Sequence, residues 1–193
     1  VQRAAPDWST PNRKLIELHT LTVRDFSRST DAAPVLILPP YAGHSSTIVD
    51  FAPGQSLVAT LLDGGCEHVL VADWHGATAA TQDYDIDNYL AAINVAVDEI
   101  GGQLALVGLC QGGWAAAMYA ARFPGKVRRL VLAGAPIDTN AGKGAIKDAA
   151  HRLPMSFHCR TADSATTIRC LVPGRTTPDE HERPGRAPCQ SRR

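Results

Sequence analysis

The sequence predicts an α/β fold: a mostly parallel sheet flanked by helices. Three observations predict it. First, Val35-Leu36-Ile37-Leu38 and Leu104-Ala105-Leu106-Val107 are short, wholly apolar runs, the pattern of strands buried on both faces. Second, amphipathic helical stretches separate such runs, and strands alternating with helices are joined by right-handed crossovers into a parallel sheet. Third, the glycine-flanked turn Gly108-Leu109-Cys110-Gln111-Gly112 lies between an apolar strand and an alanine-rich helix.

Each element can be justified in order. Leu15 to Phe26 is rich in β-formers and partly alternates, which gives one or two N-terminal strands. Arg28 to Ala33 is a polar turn. Pro34 to Leu38 is a central strand, stopped by Pro39-Pro40. Tyr41 to Ser46 is loop, because glycine and serines follow the two prolines. Ser56 to Leu62 suits a helix closed by Gly64-Gly65, and His68 to Trp74 is the next strand. Asp85 is an N-cap. Behind it Ile86, Tyr89, Leu90, Ile93, Val97 and Ile100 recur at helical spacing and form one apolar face, ended by Gly101-Gly102. The strand Leu104 to Val107 and the helix Trp114 to Ala121 flank the cysteine turn, with Trp114 and Met118 expected in the core. Pro124-Gly125 ends that helix, and Val127 to Ala135 makes a further strand whose Arg128-Arg129 start is a solvated edge.

Composition narrows the function classes. The chain has 193 residues, 45% of them apolar, and no formal net charge, so it is long enough for one real core. No charge excess points to nucleic acid or an anionic surface. No apolar run approaches the ~20 residues that span a bilayer. Val1 to Asp7 has no apolar stretch after Arg3 and is not a signal peptide. Cys66, Cys110, Cys159, Cys170 and Cys189 are odd in number and lack paired short spacings. They fit neither a disulfide framework nor a metal site, which leaves reduced thiols and a cytoplasmic location as the default. The expected organisation is N-terminal strands over 1–33, an α/β core over 34–155, and an irregular tail over 156–193. The tail is polar, with proline, arginine and cysteine, and only Thr166 to Val172 has strand character. A truncation or a shifted frame near Phe157 would account for that change, and would leave the sheet without its last strands.

Chemistry points to the cysteine turn. Strand, sharp turn and helix with a nucleophile at the tip is the nucleophile elbow of the α/β-hydrolase fold. Here Cys110 takes the nucleophile's place. Its neighbours at minus two and plus two, Gly108 and Gly112, leave room for a strained turn. The helix that follows directs its positive end at the sulfur, which favours the reactive thiolate. An oxyanion formed by attack on an ester or thioester needs two N–H donors: that of Gln111, and one from the loop after Pro40, at Tyr41 or Ala42. His44, at a strand's carboxyl end, is a substrate-binding candidate. Asp73 and His75 lie at another strand end. His19 and His68 read as strand or edge positions. The general base is harder to find, because an acid and then a histidine should follow the nucleophile in the chain. His151 and His158 come too early. Asp179 and His181 are the remaining pair, but only one residue separates them, where a whole strand should intervene.

These residues resemble a known family. Pro39-Pro40, the segment Ile48-Val49-Asp50-Phe51-Ala52-Pro53-Gly54-Gln55-Ser56-Leu57-Val58, the elbow Gly108 to Gly113, and Tyr84-Asp85-Ile86-Asp87-Asn88-Tyr89 resemble poly(3-hydroxyalkanoate) synthases. Gly43-His44 and Asp73-Trp74 look more like the intracellular polyhydroxyalkanoate depolymerases, and Ala133 to Asp138 is similar to a segment of both. The likeness covers about residues 34 to 153. The loop after Pro40 lacks the Asn-Lys-Tyr-Tyr run of synthases, and only some 30 residues precede the first central strand. The resemblance implies Cys110 acyl chemistry on a 3-hydroxyacyl thioester or a polyester, with no metal or organic cofactor. It also implies a place in the cytoplasm or at storage granules, and leaves a homodimer open. Alternatives from the same residues are a general esterase or thioesterase, or an incomplete hydrolase-fold protein that binds acyl ligands without turnover.

Overall fold

The computed structural model describes residues 6–41 and 45–138, together with 141, 142, 144, 148 and 152. Packing divides the chain into two compact units, Val1–Ala141 and Gly142–Arg193. The first holds all the strands described here.

Among the described residues the strands and helices follow one another as β1 Arg13–Glu17, β2 Leu21–Asp25, β3 Val35–Leu38, β4 Asp50–Ala52, β5 Gln55–Ser56, α1 Leu57–Asp63, β6 Val69–Trp74, α2 Ile86–Ile100, β7 Leu104–Leu109, α3 Gln111–Arg122 and β8 Val127–Ala133. The main sheet has the order β1-β2-β6-β3-β7-β8. β1 and β2 pair antiparallel, and β2 also pairs antiparallel with β6. The strands β6, β3, β7 and β8 are parallel throughout. The predicted mostly parallel sheet is therefore present, with an antiparallel hairpin at its N-terminal edge.

Alternation along each strand sorts the core into two layers. One face carries Leu21, Val23, Leu36, Leu38, Leu70, Ala72, Leu104 and Leu106. It packs on Leu90, Ile93, Ala96 and Val97 of α2 and on Ala115, Ala116 and Tyr119 of α3. The other face carries Val35, Ile37, Val69, Val71 and Val107 against Val58 and Leu62 of α1, with Phe26 and Val49. Each such side chain, taken fully from water, contributes roughly 1.5–3 kcal/mol before the entropy of ordering it. The helix α3 buries alanines and glycines; Met118 packs only partly on the core, and Trp114 is half-buried outside both layers. Small residues let this helix lie close to the sheet.

Local signals set the helix ends. The Asp85 carboxylate accepts the N–H groups of Asp87 and Asn88, and the Asn88 amide oxygen accepts the Asp85 N–H, a reciprocal cap. Gly101 ends α2 with φ of 109°, a left-handed value that glycine adopts without a side-chain clash. Ser56 caps α1 by accepting the Ala59 N–H at 2.9 Å, so this helix begins one residue later than its sequence pattern suggests.

The small hairpin of β4 and β5 has no period long enough to be read from sequence. Its turn at Pro53-Gly54, with Gly54 at φ of 79°, is the one available signal. His19 lies in the turn between β1 and β2 rather than in a strand, and His68 sits buried just before β6. Arg128 and Arg129 are exposed, as expected of a solvated edge.

Candidate active site

The cysteine turn joins β7 to α3. Cys110 is the N-cap of α3, with φ of 50° and ψ of −117°. Among the described residues it is the only non-glycine residue with positive φ. A side chain held in that region costs on the order of 1–3 kcal/mol, strain that the surrounding contacts must offset. Those contacts are specific. A Cβ at Gly108 would come within 2.7 Å of the Gly112 carbonyl oxygen. A Cβ at Gly112 would press on the carbonyl oxygens of Leu38 and Pro39, the latter at 2.5 Å. A Cβ at Gly113 would stand 2.5 Å from the Ala135 methyl group. Gly113 thus joins the two glycines singled out from spacing. The Cys110 N–H donates to the Ala133 carbonyl of β8 at 2.9 Å, and its carbonyl accepts the Gly113 N–H at 3.0 Å. The side chain is exposed at the carboxyl end of the parallel strands. Gln111 is the first residue of α3, so its N–H directly follows the sulfur-bearing residue.

The loop after β3 leaves the sheet beside this turn, because Gly112 touches its stem. Trp74, the last residue of β6, holds that stem. Its indole N–H donates to the Pro39 carbonyl at 2.9 Å, and its backbone N–H donates to Ser46 Oγ at 2.8 Å. The Tyr41 ring lies 5.8 Å from that of Trp74 and stacks at 5.8 Å on Tyr89 of α2. Burial, aided by Tyr89, raises the Tyr41 phenol above its usual value, so its ring serves as a neutral plate in this wall. On the far side of the loop the fully buried Asp50 carboxylate accepts Ser56 Oγ–H at 2.6 Å, the Thr10 N–H at 2.7 Å and Thr10 Oγ1–H at 2.8 Å. That knot ties the N-terminal segment, the loop's return and the α1 cap together.

Gly108, Cys110, Gln111, Gly112 and Tyr41 are thus brought to one end of the sheet. Ala42, Gly43 and His44 lie outside the described residues, as do His151, His158, Asp179, His181 and the segment Thr166 to Val172. Asp73 forms an ion pair with Arg24 at 2.7 Å. His75 Nε2 lies 2.8 Å from Thr22 Oγ1, and its Nδ1 lies 3.3 Å from the His19 carbonyl. A carbonyl only accepts, so Nδ1 is the donor there, which assigns Nε2 as the acceptor of the threonine proton in the neutral ring. Both residues are thereby committed to the β2–β6 edge. Among the described residues no histidine hydrogen-bonds Cys110. Two open clefts, of 570 and 400 Å³, are lined by other residues: one by Arg13, Asp25 and their neighbours, the other by His19, Tyr84 and Val95 with theirs. No three His, Cys, Asp or Glu side chains cluster to hold a metal among the described residues, and no helix there is long and apolar enough to cross a membrane.

Sequence reasoning missed Trp74, Ser46, Tyr89 and Asp50 as parts of this end of the sheet. Trp74, Tyr89 and Asp50 stood only within motifs and Ser46 only within a loop, and the contacts of all four join residues far apart in the chain.

The chain is similar to known proteins in sequence and in fold. The profile of a family described as "Protein of unknown function (DUF3141)" matches residues 11–158, well over half of the chain. The poly(3-hydroxyalkanoate) polymerase subunit PhaC of Synechocystis sp. is 36% identical over 112 residues, which cover 54% of this chain and 29% of the relative. The PhaC subunit of Haloferax mediterranei is 31% identical over 144 residues, covering 69% and 29%. The chain therefore spans less than a third of these relatives. Among solved structures, haloalkane dehalogenase DbeA from Bradyrhizobium elkani superposes with a TM-score of 0.58 at 21% identity, covering 80% of this chain and 54% of that one. That likeness establishes the α/β-hydrolase fold.

Proposed function

The chain belongs to the DUF3141 family of proteins of unknown function, and we propose that it carries the nucleophile and oxyanion loop of a cysteine-dependent acyltransferase or hydrolase. The proposed substrates are 3-hydroxyacyl thioesters or their polyester. The observation that carries this reading is the strained Cys110 at the tip of β7, exposed and framed by glycines that touch the stem of the oxyanion loop. Similarity to polymerase subunits supports the substrate class.

In the proposed first step the Cys110 thiolate attacks the carbonyl carbon. A C–S bond forms, and the carbonyl π pair moves onto oxygen, where the Gln111 and Tyr41 N–H groups receive it. The pair then returns and breaks the bond to the leaving group. A thiolate departs and takes a proton from solvent, leaving an acylated Cys110. A hydroxyl group or water then attacks the acyl carbon and gives up its proton to a base, for which His181, paired with Asp179, is the sequence candidate, and the C–S bond breaks to release the Cys110 thiolate.

The test is intact-protein mass spectrometry after mixing with a 3-hydroxybutyryl thioester. One acyl group on Cys110, absent from Cys110→Ala while that variant keeps the wild-type melting temperature, is the expected result. An adduct on Cys66, or none, would sink the assignment. Faster reaction of plain short-chain acyl thioesters than of the 3-hydroxyacyl ones would favour a general thioesterase instead.

A further inference from the structure

We propose that Trp74 is the positioning residue of the oxyanion loop: it fixes where the Tyr41 N–H points. This rests on the acyl-transfer reading above and identifies what holds its second oxyanion donor.

The geometry leaves that donor little freedom. The Pro39 carbonyl oxygen and the nitrogen of Pro40 share one peptide plane. The hydrogen bond from the Trp74 indole to Pro39 O, at 2.9 Å, orients that plane from one side. Gly112, with no Cβ to push the same oxygen away, lets the elbow close on it from the other. The Pro40 ring then locks the next φ near −65°. One soft dihedral, ψ of Pro40, remains to aim the N–H of Tyr41. The Tyr41 ring fixes that one, wedged 5.8 Å from Trp74 and 5.8 Å from Tyr89, with Trp74 and Tyr89 themselves 6.0 Å apart. At the loop's return, the backbone N–H of the same Trp74 binds Ser46 Oγ, and Ser46 is buried. One residue therefore holds both ends of the loop and one face of its tyrosine. Because β6 and β7 both flank β3 in register, the tether also references the loop to the strand that carries Cys110.

A donor displaced by about 1 Å can cost on the order of a hundredfold in rate. Trp74→Phe keeps an aromatic ring against Tyr41 and deletes the indole N–H together with part of the bicyclic ring. Single-turnover acylation by a chromogenic thioester should slow by about 10- to 100-fold in this variant. Alkylation of Cys110 by iodoacetamide is the control. It displaces iodide at a saturated carbon and builds no oxyanion, so its rate should stay within about twofold. Equal losses in both reactions would mean that Trp74 only holds the elbow together, and would overturn the proposal.

Amide hydrogen exchange gives a readout that needs no chemistry. Exchange of the Tyr41 N–H should quicken in Trp74→Phe, which keeps the backbone bond to Ser46, and that of the 46–49 turn in Ser46→Ala, while β3 and β7 are unchanged. Unaltered exchange at Tyr41 would overturn the proposal as well. A wild-type protein that is alkylated but never acylated would refute the acyl-transfer reading alone, and the exchange result would still decide whether Trp74 aims the loop.

Discussion

Two rows of side chains cross the four parallel strands, and they end very differently from how they begin. Along Leu70, Leu36, Leu106 and Leu130 the exposure runs 0, 0, 0 and 39%; along Val71, Ile37, Val107 and Val131 it runs 0, 0, 9 and 50%. The residue types hardly change from strand to strand. What changes is cover: β3 has helices on both faces and strands on both edges, whereas β8 is exposed along nearly its whole length. An apolar run therefore reports what a strand can bury, not what lies over it. The contrast bears on the candidate site because Cys110 hangs between the two strands. Its helix presses on the Leu38 and Pro39 carbonyls at the end of β3 through Gly112, and its N–H binds Ala133 at the end of β8.

Breaking the β3 side at the elbow should have the largest effect on acylation. Gly112→Val forces a branched side chain onto two backbone carbonyls that cannot swing away. Overpacking of this kind costs about 1–3 kcal/mol or more, a drop in melting temperature of roughly 2–12 °C for a chain of this size. Acylation of Cys110 should be lost with it. A melting temperature equal to the wild type's would mean that the elbow does not close on β3 as described.

A matched pair sharpens the comparison directly. Ile37→Ala and Val131→Ala lie in the same row, either side of Val107. The first opens a cavity in a sealed layer and should cost about 2–5 kcal/mol. The second trims a half-exposed side chain and should stay within about 1 kcal/mol. Urea denaturation of the two variants measures both. Similar costs would show that β8 is covered in solution by something bound to it.

The same contrast explains what was legible in the sequence. β3, β6, β7 and α2 could be read because each carries its whole signal locally: an apolar run, a period, or the Asp85 cap. The elbow could be read because strain at one residue demands glycine two places before and after it. The β4–β5 hairpin could not, since strands of two and three residues show no alternation. Nor could the tethers on the loop. Ser46 and Trp74 look like any loop serine and strand-end tryptophan, and only the folded sheet brings them together across 28 residues. The exposure of Arg128 and Arg129 could be read from their charge, but that of the apolar Leu130, Val131 and Leu132 could not, because it depends on what lies against the strand.

The smallest effect concerns the opposite end of the first row, where Asp25 of β2 pairs with Leu70. Burial by itself would raise this carboxyl. Hydrogen bonds from Ser27 and from the Arg13 guanidinium outweigh burial and hold it below the ordinary aspartate value of 3.8. The unfolded chain therefore binds the proton more readily than the folded one. The contribution of Asp25 to stability is full above pH of about 4 and is lost as pH falls through its lower, folded value. Arg13 is 70% exposed, so its ionic share is screened and the bonds from Ser27 carry more of the effect. Asp25→Asn should lower the melting temperature at neutral pH, and the gap from wild type should narrow steadily below pH of about 4. Moderate salt should leave most of that gap in place. A gap that is independent of pH would mean that the charge on Asp25 does not matter and that only its shape anchors the covered end of the row.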